Sequence, residues 1–275
     1  MLFLPNCKIN IGLNVVEKRS DNYHNIETVF FPVPLTDILQ IDIEQTNDKS
    51  DFSFSVFGEK IAGNTENNLV IKALRLLQKD FPIPRLNIKL TKNIPTGAGL
   101  GGGSANAAFM LKGMNQLLNL QLSSAQLQIY ASQLGADCAF FVNNRTVFAQ
   151  GTGNIFSDVN LSLQGYYIVI IKPDIHISTA EAYAHIIPKK PEISLQKAIY
   201  EPIEKWKSLI VNDFEESVFA QFPPIAKIKQ QLYDCGAIYA SMSGSGAALY
   251  GIFDDRTYFP ENIFKGYFLK KIKIL

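Results

Sequence analysis

The chain has 275 residues, 47% of them hydrophobic and 19% charged, enough apolar material for a sizeable core and too much for a disordered chain. Lys plus Arg number 26 and Asp plus Glu 25, a formal net charge of +1, which argues against a dedicated nucleic-acid or anionic-membrane binder. Cys7, Cys138 and Cys235 lie far apart, with neither disulfide-framework nor zinc spacing, and suit a reducing compartment.

The first thirteen residues carry no basic leader region, Pro5 interrupts their short apolar run, and no stretch reaches the length of a membrane span. A cytoplasmic protein is expected. Residues 8–14 alternate, with Ile9, Ile11 and Leu13 on one strand face and Lys8, Asn10 and Asn14 on the other. Leu39, Ile41 and Ile43 repeat that period, as do Phe52, Phe54 and Val56, and Leu86, Ile88 and Leu90; mostly antiparallel strands are expected. Leu69, Val70, Ala73, Leu74 and Leu77 have helical spacing, and so do Ala107, Ala108, Leu111, Met114, Leu117 and Leu118. Ser123 or Ser124 is a cap for a third helix ending at Gly135. Residues 166–171 read as a buried strand, 188–191 as a surface loop, about 215–232 as helical, and 241–253 as strand, turn and strand. The expected fold class is α+β, two-layered, with two lobes and a boundary near residues 150–165.

The sharpest feature is the loop Pro95, Thr96, Gly97, Ala98, Gly99, Leu100, Gly101, Gly102, Gly103, Ser104, Ala105, between a predicted strand and a predicted helix. Five glycines in seven residues let successive N–H groups approach an anion, backed by the positive end of the helix that Ser104 is expected to start. The dinucleotide fingerprint needs an acid about 20 residues on, and none follows. The P-loop needs a Lys before its Ser, and the protein-kinase motifs are absent. Residues 81–136 hold no Asp or Glu, yet include Arg85, Lys89, Lys92 and Lys112, a local field that favours a polyphosphate. The first acid after the gap is Asp137, read as following a helix C-cap at the start of an apolar strand, where it is a turn former or a functional acid. Lys8 is a wet-face lysine of an edge strand or a functional cation. Residues 241–248 form a second small-residue turn, including Gly244 and Ser245, able to offer backbone donors or merely to close a hairpin.

Together these motifs resemble the GHMP kinase superfamily, most specifically through the loop at 95–107, with Gly135–Ala136–Asp137 and the 244–247 turn in support. The resemblance implies a two-lobed kinase fold: a ribosomal-protein-S5-domain-2-like N-terminal lobe (1–155) with the ATP loop and catalytic residues, and a ferredoxin-like C-terminal lobe (156–275) completing the substrate site. Residues 18–28, with Asp21, Asn22, Tyr23 and His24, are similar to members that phosphorylate a cytidine-diphosphate-linked methylerythritol in the non-mevalonate isoprenoid route. Asn22 replaces a usual Gly, and Ala139 a usual Pro. Asn tolerates the left-handed backbone, so the turn at Asn22 can survive.

By that resemblance Asp137 is the general base and Lys8 its cationic neighbour. ATP is the donor and Mg²⁺ its helper, with no protein ligand assigned beyond Ser104. Asn68 is an adenine contact or a helix cap. Tyr23, His24 and Tyr183 are cytosine readers, and Asn10, Thr179, Gly244 and Ser245 complete the substrate contacts. Other readings are a homoserine- or mevalonate-type kinase, against which Tyr23 and His24 speak, or a non-catalytic sensor of the same fold. A monomer or homodimer is expected, with a small-molecule substrate as partner.

Overall fold

The computed structural model describes residues 1–45, 50–59 and 63–275. In chain order the strands are β1 (Leu2–Phe3), β2 (Asn6–Lys18), β3 (His24–Thr36), β4 (Ile38–Ile43), β5 (Phe52–Gly58), β6 (Leu86–Lys92), β7 (Val147–Gln150), β8 (Ile155–Asp158), β9 (Tyr166–Lys172), β10 (Tyr239–Met242), β11 (Leu249–Asp254) and β12 (Phe268–Lys273). The helices are α1 (Leu69–Gln78), α2 (Gly102–Leu117), α3 (Ser124–Ser132), α4 (Cys138–Asn143), α5 (Thr179–Ala184), α6 (Leu195–Ala198), α7 (Trp206–Leu209), α8 (Phe214–Gln221) and α9 (Pro223–Asp234). They form an α+β fold of two compact units.

Unit 1 is assembled from Met1–Cys7, Leu35–Thr96 and Gly101–Arg145. Its sheet runs β1-β4-β6-β5; β4 pairs antiparallel with β6, and β5 pairs parallel with it across the α1 crossover. Helix α1 starts where Asn68 Oδ1 accepts the Val70 N–H at 2.9 Å, and it buries Val70, Ala73, Leu74 and Leu77 as their spacing marked, with Ile71 buried in addition and Leu69 only partly covered. Ser123 caps α3 in a capping box with Gln126.

Unit 2 comprises Lys8–Pro34, Gly97–Leu100 and Thr146–Leu275. One of its sheets runs β2-β3-β7-β8, the other β10-β11-β9-β12 with antiparallel pairs throughout. The latter order is that of a ferredoxin-like sheet. Val169, Ile171, Ala240, Met242 and Leu249 of that sheet share a core with Phe214 and Val218 of α8 and Ile225, Ile228 and Leu232 of α9, and Leu13, Val15 and Ile26 join it from the N-terminal strands. The expected helix over 215–232 is two helices. The Phe222 N–H closes α8 on the Val218 carbonyl, and Pro223, lacking an N–H, opens α9.

Two further expectations are corrected. Asp137 does not begin a strand: it is the N-cap of α4, a six-residue helix whose apolar run is buried. A continuous apolar run has no period by which strand and helix can be separated. Helix α2 is not started by Ser104. It starts at Gly102 with Gly101 as N-cap at φ 70°, so Ser104 lies inside the first turn.

Candidate active site

In unit 2, Lys8 is 3% exposed, on a strand whose two faces are both covered. Its Nζ donates to Asn10 Oδ1 at 2.5 Å and to the Gly99 carbonyl at 3.0 Å, and lies 5.0 Å from the centre of the Phe30 ring. Its backbone N–H donates to the Leu100 carbonyl at 2.9 Å. Asn10 is fixed in turn: its Nδ2 donates to Thr28 Oγ1 at 2.9 Å, and Thr28 Oγ1 donates to the Gly12 carbonyl at 2.6 Å. The strand thus presents a lysine to the glycine loop with every neighbour held.

The second small-residue turn packs directly on the first. Ser243 Oγ donates to the Gly99 carbonyl at 2.9 Å, and the Ala248 N–H donates to the Ala98 carbonyl at 3.2 Å. A Cβ on Gly99 (φ +77°) would lie 1.9 Å from the Ser243 carbonyl oxygen; one on Gly246 would lie 2.3 Å from Gly99 N. Only backbone fits at either position. Gly244 is left-handed as well, and a Cβ there would stand 3.3 Å from Asn10 Oδ1. Asn212, 2% exposed, clamps this turn, its Nδ2 donating to the Met242 and Gly244 carbonyls, both at 2.9 Å. Ser245 Oγ donates to Thr179 Oγ1 at 3.4 Å, bringing the first residue of α5 to the same turn.

Further along α5, Tyr183 stacks on His24 with centroids 4.8 Å apart and meets Phe214 edge-on at 4.8 Å. Burial, and then the nearby Lys18 charge, hold the His24 imidazole below its ordinary pKa. The two rings touch, leaving no space for a third between them. Tyr23 stays 66% exposed on a turn in which Asp21 Oδ1 accepts the Tyr23 N–H and Asn22 takes φ 66°, the left-handed conformation expected of it.

Unit 1 gathers Pro95, Thr96, Gly101, Gly102, Gly103, Ser104, Ala105, Asn68 and Asp137. The first turn of α2 carries no acid, so its N–H groups and positive helix end meet no competing carboxylate there. Gly103 is uncrowded: a Cβ there would make one ordinary contact, with Leu69, next to Asn68, at 3.6 Å. Burial, with the Asp137 charge adding to it, pushes the Cys138 thiol up to about 11. Asp137, half-buried, precedes that cysteine and makes no capping bond to α4.

Sequence reasoning missed several participants. His176 lies against the loop, with Cε1 3.0 Å from a Cβ on Gly97, and nothing in its local sequence marks it. Asn212 and Ser243 act through backbone carbonyls distant in sequence. The partners of Lys92 below the glycine turn were equally silent.

A model of the GHMP kinases N terminal domain matches residues 68–145, and one of the GHMP kinases C terminal region matches 195–258. The chain belongs to the GHMP kinases. The 4-diphosphocytidyl-2-C-methyl-D-erythritol kinase of Bacteroides thetaiotaomicron is 55% identical over 261 residues, 95% of each chain, and that of Parabacteroides distasonis is 50% identical over 98% of each. Within the GHMP kinases its family is that of the 4-diphosphocytidyl-2-C-methyl-D-erythritol kinases. A crystal structure of 4-(cytidine 5'-diphospho)-2C-methyl-D-erythritol kinase superposes with a TM-score of 0.82 at 26% identity, covering 99% of both chains. The Methanococcus jannaschii mevalonate kinase, 13% identical with a TM-score of 0.73, shares the fold.

Proposed function

We propose that this chain transfers the γ-phosphoryl group of ATP to the 2-hydroxyl of 4-diphosphocytidyl-2-C-methyl-D-erythritol, a step in making isoprenoid precursors by the non-mevalonate route. The observation that carries this reading, beside the 55% identity to a relative of that name, is the buried Lys8 ammonium anchored on the Gly99 carbonyl of the glycine loop. A cation is buried in this way where negative charge has to be met.

In this reading the alcohol oxygen attacks the γ-phosphorus, ADP leaves, and the hydroxyl proton passes to the Asp137 carboxylate. A weak base suffices, because the phosphoryl transition state is loose and the proton leaves late. Lys8 stabilises charge on the transferring group. The acid-free first turn of α2 and the unobstructed Gly103 fit a polyphosphate tail. The Ser104 hydroxyl is an oxygen donor that would suit Mg²⁺, which when bound would supply charge neutralisation for the phosphates. Asn68 lies toward the adenosine end. His24 and Tyr183 read the cytosine with Tyr23, while Asn10, Thr179, Gly244 and Ser245 hold the remainder of the substrate. The molecule works in the cytoplasm.

ADP release measured over a panel of alcohols at fixed ATP tests this. Turnover with the cytidine-linked tetritol, and none with homoserine or mevalonate, is expected. Turnover of homoserine or mevalonate instead would move the chain to another branch of the family, and tight binding without ADP release would make it a sensor.

A further inference from the structure

Below the first turn of α2 lies a charged cluster that the phosphoryl chemistry above does not use. Asp37, Lys92 and Asn106 are 0%, 2% and 2% exposed. Lys92 Nζ is ion-paired with Asp37 Oδ2 and donates to Asn106 Oδ1 at 3.0 Å. Asn106 Nδ2 donates to the same Asp37 oxygen at 2.9 Å. The other oxygen, Asp37 Oδ1, accepts the N–H groups of Asn93 at 2.7 Å and Ile94 at 2.9 Å. One carboxylate therefore ties together the residue before β4, the chain leaving β6, and the second turn of α2.

The ammonium is also close to the phosphate turn itself. It lies 3.2 Å from where a Cβ on Gly102, the first residue of α2, would stand, and Ile94 would meet that atom at 2.8 Å. Burial pushes Lys92 below the ordinary lysine pKa, and the Asp37 charge pulls it back. A buried ion pair is a costly way to pack a core, since apolar side chains of equal volume serve stability as well or better. What apolar side chains cannot supply is a fixed hydrogen-bond register and a positive charge under the turn.

We propose that Asp37, Lys92 and Asn106 are positioning residues for the nucleotide: they set the first-turn N–H groups of α2 for the phosphates and add positive field beneath them. The proposal rests on the reading that the turn at 101–105 receives ATP. It predicts that stability and nucleotide affinity come apart when the charges are removed together.

The test compares Lys92→Met, Asp37→Asn, the double variant and Asn106→Ala by thermal unfolding, by equilibrium binding of a non-hydrolysable ATP analogue, and by KM for the cytidine substrate. Each single charge variant loses stability, because its partner is left buried and unpaired. The double variant recovers most of that loss yet binds the analogue roughly tenfold or more weakly, with KM for the alcohol within about twofold of wild type. Asn106→Ala, which retains both charged side chains, is expected to bind the analogue several-fold more weakly, its unfolding midpoint read alongside. Analogue binding within about twofold of wild type in both the double variant and Asn106→Ala would reduce the cluster to packing and overturn the proposal. Equal weakening for both ligands, the mark of general loosening, would overturn it too. A wild-type protein that binds no ATP analogue would overturn the reading of the turn, and this proposal with it.

Discussion

Lys8 gives up most of its hydration to donate to one carbonyl and one amide oxygen, and a neutral side chain would fill the same space at lower cost. Its charge is therefore the point of the residue. Lys8→Met is expected to lower kcat by about two orders of magnitude or more while changing ATP affinity by less than about threefold. Asp137→Asn is expected to lower kcat by about 10²–10⁴-fold with an unchanged unfolding midpoint. Steady-state kinetics beside nucleotide titration checks both; equal losses in kcat and affinity would make Lys8 a binding residue only. At His24 the issue is protonation. With its native pKa depressed, the folded state binds fewer protons than the unfolded chain, so His24 contributes stability above the ordinary value of 6.5 that is lost as the pH falls through the lower native value. Tyr183→Ala uncovers the ring, and its midpoint should climb toward 6.5 in an NMR titration of the three histidines. A midpoint that stays put would mean Tyr183 is not what dries it. At this scale, Asn22 was legible because residue type alone limits who can sit at positive φ. The stacking of His24 on Tyr183 was not, since it joins residues far apart in the chain.

The glycine-rich segments behave as two different devices. At Gly99 and Gly246 the absent side chain admits another stretch of backbone; at Gly103 a Cβ would fit with only an ordinary contact to Leu69. The same substitution should separate them. Gly99→Ala forces a methyl onto the Ser243 carbonyl at a strained φ and should cost about 2–5 kcal/mol of stability. Gly103→Ala, inside a helix, should leave the unfolding midpoint unchanged or raise it by up to about 1 kcal/mol equivalent, yet weaken ATP binding. Chemical denaturation with nucleotide titration decides, and a Gly103→Ala variant of normal ATP affinity would remove the phosphates from that turn. Element type was readable wherever one face is apolar and the other polar, as along α1 and β6. It failed at α4, buried nearly throughout, and at the Phe222–Pro223 break, where the apolar rhythm continues across two helices. The contact of the 243–246 turn with Gly99 left no local trace, because it is made by main-chain atoms that every residue shares.

For the molecule as a whole, the α+β class was readable from the mixture of periods, while the assembly of each unit from separate pieces was not. The core of the ferredoxin-like sheet takes Leu13, Val15 and Ile26 from near the start of the chain. A fragment of residues 156–275 would leave that apolar surface wet. It should show no cooperative unfolding transition alone, and regain one when co-expressed with 1–155; circular dichroism on heating checks this, and an independently melting fragment would contradict it. The chain passes between units at 7/8, 34/35, 96/97, 100/101 and 145/146. A gene encoding such a path cannot be cut once to release either half intact. Recombination between distant homologues would therefore have to exchange nearly the entire reading frame, so its two parts are bound to drift together.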